Sequence, residues 1–123
     1  MGSQVLLIED EPNIIEAITF ILSRDGWQVR SHSGGHDAME VVRARRPDLI
    51  ILDVMLPGRS GFDLLADIRG DADLAQTPVL MLTARGQRKD REMAERSGAS
   101  MFMTKPFSNA EMLEAVRSLA ARK

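Results

Sequence analysis

Five residues able to carry chemistry stand at the ends of short apolar runs: Glu9 and Asp10 after Val5 to Ile8, Asp53 after Leu49 to Leu52, Thr83 closing the run begun at Val79, and Lys105 after the weaker stretch Ser100 to Thr104. Brought together, the three carboxylates would repel, and each would resist ionising unless a cation shared the site. A divalent ion meets that need. Every candidate side-chain ligand is an oxygen, with no His or Cys in the pattern, which favours a hard ion that keeps several waters, most simply Mg²⁺. Lys105 adds a mobile positive charge and Thr83 a neutral hydroxyl donor. Such a set can accept a phosphoryl group. Asp53 would be the nucleophile, the ion and Lys105 would neutralise charge on the equatorial oxygens, and Thr83 would donate to one of them, giving an aspartyl phosphate.

Two alternating hydrophobic periods show what must position these residues. The runs Val5 to Ile8, Leu49 to Leu52 and Val79 to Leu82 are continuous, as strands buried on both faces read, while Trp27 to His32 and Ser100 to Thr104 are weaker strand candidates. Between them, helical spacing aligns Ile14, Ile18, Ile21 and Leu22, then Ala38, Val41 and Val42, then Leu64, Leu65 and Ile68, and finally Met112, Val116, Leu119 and Ala120. Pro12 suits a first turn, Gly26 and Pro47 follow the first two helices, and Ser108 with Glu111 forms a capping box for the last. A fourth helix, around Gly86 to Gly98, has the thinnest apolar stripe, chiefly Met93 and Ala94, and is expected to dock loosely. Strict alternation of strand and helix implies an α/β fold: one doubly wound, five-stranded parallel sheet with five helices on its two faces, joined by right-handed crossovers. In such sheets the functional crevice lies at the carboxyl ends of the strands, where the polar residues above are found.

The chain, at 123 residues and 44% apolar, is expected to be a single domain over residues 1–123, with no repeat, linker or effector domain. Lys plus Arg (16) nearly balance Asp plus Glu (18), so no global field favours nucleic acid or an anionic membrane, and direct contact with either is not expected. With no cysteine and no apolar run near the ~20 residues of a membrane helix, the cytoplasm is the expected compartment. His32 and His36 have no ligand spacing with the carboxylates and are expected at the surface. Gly34 and Gly35 fit no phosphate-cradling pattern.

The residues and their order resemble the receiver domain of bacterial two-component response regulators in its single-domain, chemotaxis-regulator-like form. The motifs that carry the resemblance are the acidic pair Glu9 and Asp10, the segment "LDVMLPGRSG" around Asp53, Thr83 followed by Ala84, and "KPF" at Lys105 to Phe107. The resemblance implies a flavodoxin-like sheet of order 2-1-3-4-5 and phosphorylation of Asp53 by a sensor histidine kinase or phosphotransfer protein. It implies Mg²⁺ held by Asp10, Asp53, the main-chain carbonyl of Met55, and Glu9 through water, and a cis peptide before Pro106. It also implies a switch in which Thr83 moves inward and Phe102 follows, remodelling the face of fourth helix, fifth strand and fifth helix that a downstream effector reads. Met55 and Arg85 stand where family members vary, and are expected to set the dephosphorylation rate. Ser100 and Met101 replace the aspartate pair common in receivers that dimerise to activate transcription, which leaves at most a weak homodimer.

Each residue alone has a duller account. An acidic pair can cap a helix, Asp53 can belong to a turn, Thr83 can cap a loop, Lys105 can be solvated and Phe102 can be ordinary core. Two rival functions also deserve weight. A Mg²⁺-dependent phosphohydrolase with an aspartate nucleophile would want a second Asp two residues after the first, where Met55 stands, and a phosphorylation-independent interaction module would usually lack one of the acids or the lysine. The domain is accordingly expected to be a signalling switch rather than an enzyme, although it would catalyse its own phosphorylation and dephosphorylation.

Overall fold

The computed structural model describes residues 3–84 and 88–121. Its strands are β1 (Gln4–Ile8), β2 (Gln28–His32), β3 (Leu49–Asp53), β4 (Met55–Leu56), β5 (Arg59–Ser60), β6 (Val79–Thr83) and β7 (Met101–Thr104). The helices are α1 (Pro12–Arg24), α2 (Ala38–Arg45), α3 (Gly61–Gly70), α4 (Arg88–Arg96) and α5 (Asn109–Ala121). Five strands form one parallel sheet in the order β2-β1-β3-β6-β7, the arrangement expected from the resemblance. Two short strands, β4 and β5, were not anticipated. They pair antiparallel as a hairpin directly after β3.

Strand periodicity divides the core in two. Leu6, Ile8, Ile50, Leu52, Val79 and Met81 point to the layer containing residues of α2, α3 and α4, while Val5, Leu7, Leu49, Ile51, Leu80 and Leu82 point to the layer containing residues of α1 and α5. Strands β3 and β6 are buried along their whole length and β1 nearly so, hence their unbroken apolar sequences. The edge strands β2 and β7 are only partly covered, hence their weaker signal.

The helix punctuation acts locally as its chemistry requires. Pro12 opens α1, Ser60 accepts from the Phe62 N–H to cap α3, and Ser108 and Glu111 exchange reciprocal side-chain to backbone bonds at 3.1 and 3.0 Å to open α5. On α4, Ala94 is fully buried but Met93 is exposed, so the apolar stripe is thinner than the sequence suggests. No helix among the described residues is long and apolar enough to cross a membrane.

Candidate functional site

Parallel register brings the strand ends to one edge. Ile8 pairs with Leu52 and Asp53 with Leu82, and the ladder runs on through Glu9 N–H to His32 O at 3.0 Å and Lys105 N–H to Thr83 O at 2.7 Å. The two-residue period then sorts the polar groups by face. Glu9, Asp53 and Lys105 continue the parity of Leu7, Ile51 and Met103 toward the α1 and α5 layer. Thr83 continues that of Met81 toward the α2 to α4 layer, where Phe102 also packs.

Glu9 is fully buried, and Asp53, Thr83 and Lys105 nearly so. The Lys105 ammonium lies 2.8 Å from Glu9 Oε1, 3.2 Å from Glu11 Oε1 and 3.5 Å from Asp53 Oδ2. Asp53 Oδ1 accepts from the Met55 N–H at 3.2 Å, and Glu9 Oε2 accepts from the Asp10 and Glu11 N–H groups at 3.1 and 3.2 Å. Glu11 is a participant that the sequence reading missed. Its signal was present in the run Glu9-Asp10-Glu11, of which only the first two acids were singled out.

Burial, and then the charge of Glu9, push the Asp53 carboxyl up to about 7; Lys105 and the Met55 N–H oppose the shift without cancelling it. Burial alone would lower the Lys105 ammonium, but the close contact with Glu9 and the charges of Asp53 and Glu9 outweigh it, so its pKa is raised. Among the described residues one ammonium thus serves a pocket of several carboxylates, and the cluster they form is short of positive charge.

A hard cation fits that shortage. Glu9, Asp10 and Asp53 each present a carboxylate oxygen within 4.8 Å of the others, with Asp10 on the solvent side. Glu9 Oε1 is buried, and among the described residues it makes no hydrogen bond apart from its ion-pair contact with Lys105. An oxygen-only donor set with one solvent-facing member suits an ion that retains waters.

The remaining candidates fall around this centre. Ala84 is exposed just past Thr83, the Lys105–Pro106 peptide bond is cis, and the Met55 side chain is 73% exposed beside the crevice. Phe102 is partly buried, with the Arg91 guanidinium of α4 5.4 Å from its ring centre. Arg85 lies outside the described residues. His36 is exposed, as expected, whereas His32 is half-buried and bonded to Asp37 at 2.8 Å.

Glycines shape the segment that follows Asp53. Gly58 has φ +82°, which the third position of a Pro-Gly turn requires, and a Cβ on Gly61 would meet the Asp53 carbonyl at 2.2 Å. The "PG" break therefore reverses the chain within four residues and returns it beside Asp53 to start α3.

Known proteins are similar to this chain in sequence and in fold. The sequence profile of the response regulator receiver domain matches residues 5–117. The transcriptional regulatory protein GltR of Pseudomonas aeruginosa is 40% identical over 121 residues, which is 98% of this chain and 50% of that protein. The phosphate regulon transcriptional regulatory protein PhoB of Escherichia coli is 35% identical over 122 residues, which is 99% of this chain and 53% of that protein. The chain thus spans about half the length of these curated relatives. Among solved structures, the BeF3-activated N-terminal receiver domain of RstA from Klebsiella pneumoniae superposes with a TM-score of 0.89 at 30% identity, covering 96% of this chain and 98% of that one. The receiver domain of a sensor histidine kinase from Pseudomonas aeruginosa, with a magnesium ion coordinated in its active site cleft, superposes with a TM-score of 0.90 at 28% identity, covering 98% and 99%. By fold, by the order of its strand-end residues and by these matches, the chain belongs to the receiver domain family of two-component response regulators.

Proposed function

We propose that Asp53 is the phosphoacceptor of this receiver and that residues 1–123 act as one phosphorylation switch. The observation that carries this is the convergence of the Glu9, Asp10 and Asp53 carboxylate oxygens within 4.8 Å, with the Lys105 ammonium 3.5 Å from Asp53. An Asp53 oxygen attacks the phosphorus of a phosphohistidine; the new P–O bond forms as the P–N bond breaks, and the imidazole leaves with a proton. Lys105 neutralises charge on the phosphoryl oxygens and Thr83 donates to one of them. Asp10, Asp53 and the Met55 carbonyl would hold Mg²⁺, with Glu9 supporting it from beside them. When bound, the ion supplies charge neutralisation to the transferring group.

The donor is a histidine kinase or phosphotransfer protein, which places the domain in the cytoplasm, where ATP charges such donors. The donor must approach from the rim at Asp10. There Asp10, Pro12, Ile15 and Phe20 line a groove of about 700 Å³ that runs to Val29, and Phe20 is 57% exposed. Phosphorylation is read out through Thr83 and Phe102 to the face of α4, β7 and α5, where an effector protein or domain binds. Turnover of the aspartyl phosphate by the domain's own residues limits the signal.

The test is incubation with acetyl phosphate and Mg²⁺, followed by intact mass measurement. One phosphoryl group per chain is expected, lost without Mg²⁺ and in Asp53→Asn. An adduct that survives Asp53→Asn would overturn the assignment. Rapid multiple turnover would favour a hydrolase, and no adduct at all a passive module.

A further inference from the structure

The segment between β2 and α2 carried no function in the sequence, yet it rests directly on the hairpin that follows Asp53. The Gly35 N–H donates to the Pro57 carbonyl at 2.8 Å. Gly35 is buried, and a Cβ there would fall 2.4 Å from Arg59 Cβ and 3.0 Å from the Arg59 Cα and N. In the turn between the two strands, a Cβ on Gly58 would meet the His36 ring at 2.4 Å, so the imidazole occupies the space beside that glycine.

Both partners of this contact are anchored elsewhere. His32, at the end of β2, is bonded to Asp37 at the start of α2, which closes the loop at its two ends. Arg59 bonds to Asp67 and to the Asp63 carbonyl, which ties the hairpin to α3. Inside the hairpin, Met55 pairs with Ser60 and Leu56 with Arg59, and Gly61 N–H donates to Val54 O at 2.9 Å. Pressure applied at Pro57, Gly58 and Arg59 is therefore transmitted across a two-residue ladder to Met55. That residue's N–H holds Asp53 Oδ1, and its carbonyl is assigned above to the metal.

We infer that Gly35 and His36 are positioning residues for metal binding: they clamp the β4–β5 hairpin from outside and so fix the Met55 backbone relative to Asp53. Neither touches the site itself. Their effect is that of an outer shell, which sets the orientation of a ligand rather than supplying one. The role depends on the Met55 carbonyl being a metal ligand, as proposed above. Gly35 is required for this because any side chain at that position would push the hairpin outward against Arg59.

The test is calorimetric titration of the whole chain with Mg²⁺, alongside thermal melts without metal, for wild type, Gly35→Ala and His36→Ala. Gly98→Ala serves as a control, since Gly98 has φ +92° and contacts Arg69, away from the site, so its loss destabilises without touching the clamp. Gly35→Ala is expected to weaken Mg²⁺ binding about tenfold, the scale of outer-shell losses at metal sites. His36→Ala, a surface change that should fold normally, is expected to shift affinity in the same direction by less, and Gly98→Ala to lower the melting temperature with affinity unchanged. Unchanged affinity in His36→Ala and in any folded Gly35→Ala, or an equal loss in Gly98→Ala, would overturn the clamp. Failure of the wild type to bind Mg²⁺ would instead overturn the metal site itself and the clamp with it.

Discussion

Replacing Asp53 should make the metal-free domain more stable, by an amount that depends on pH. In the folded chain the Asp53 carboxyl is pushed up to about 7 by burial and by Glu9, against an ordinary value of 3.8. A group raised in this way contributes its full stability below about pH 4 and loses it as pH rises through about 7, because the native state holds a proton that the unfolded chain has already released. At about 1.4 kcal/mol per unit, the ionised carboxylate costs the native state on the order of 4 kcal/mol at pH 8. Asp53→Asn keeps the size and the acceptor facing the Met55 N–H, but forfeits the attraction of Lys105 at 3.5 Å. A net gain of about 2 to 3 kcal/mol at pH 8, or a rise of roughly 8 to 12 °C in melting temperature, is expected. Melts of both proteins in chelator from pH 4.5 to 8 measure it, and the gain should shrink steadily toward the acid end. Mg²⁺ should raise the melting point of the wild type and leave that of the variant nearly unmoved. Equal melting points at pH 8, or a gain that does not vary with pH, would refute the electrostatic reasoning.

Other perturbations separate the parts of the switch. Lys105→Ala leaves Glu9 buried without its ammonium and is expected to cost the metal-free domain about 3 kcal/mol. It should still permit some Asp53 phosphorylation while the amide spectrum of the α4, β7 and α5 face stops responding to it; an unchanged response counts against the role of Lys105. Phe102→Ala should mute the same response while leaving Mg²⁺ affinity intact, and a large loss of affinity would contradict its placement on the opposite face from the metal. Phe20→Ala removes an exposed aromatic from the groove beside Asp10, so phosphotransfer from a histidine kinase should slow about tenfold while acetyl phosphate reacts at the wild-type rate. Equal slowing with both donors would place the defect in the site rather than in docking.

How much of this was legible depended on whether the determining contacts recur along the chain. The strands β1, β3 and β6 are buried on both faces, so each had to be a continuous apolar run, and the residue that ends each run had to stand at the crevice. Glu9, Asp53 and Thr83 were found by that rule and Lys105 by its place after the weaker edge run of β7, and their register brings them to one edge. The capping box at Ser108 was readable because its two bonds span only three residues. What stayed hidden is held by contacts with no period. The β4–β5 hairpin is two residues per strand, too short for alternation to register, and the packing of Gly35 and His36 on Arg59 and Gly58 joins loops more than twenty positions apart. An acid at the start of a helix such as Glu11 has an ordinary role in the helix dipole, and only its 3.2 Å approach to Lys105 gives it another.

The most direct measurement is a crystal structure of the chain grown with Mg²⁺ and beryllofluoride. The account predicts beryllium on a carboxylate oxygen of Asp53, the metal bound by Asp10, Asp53 and the Met55 carbonyl, the Lys105 ammonium on one fluoride and the Thr83 hydroxyl on another. Density for the metal or the fluoride adduct elsewhere, or Lys105 still paired with Glu9 and turned away from a loaded Asp53, would contradict it.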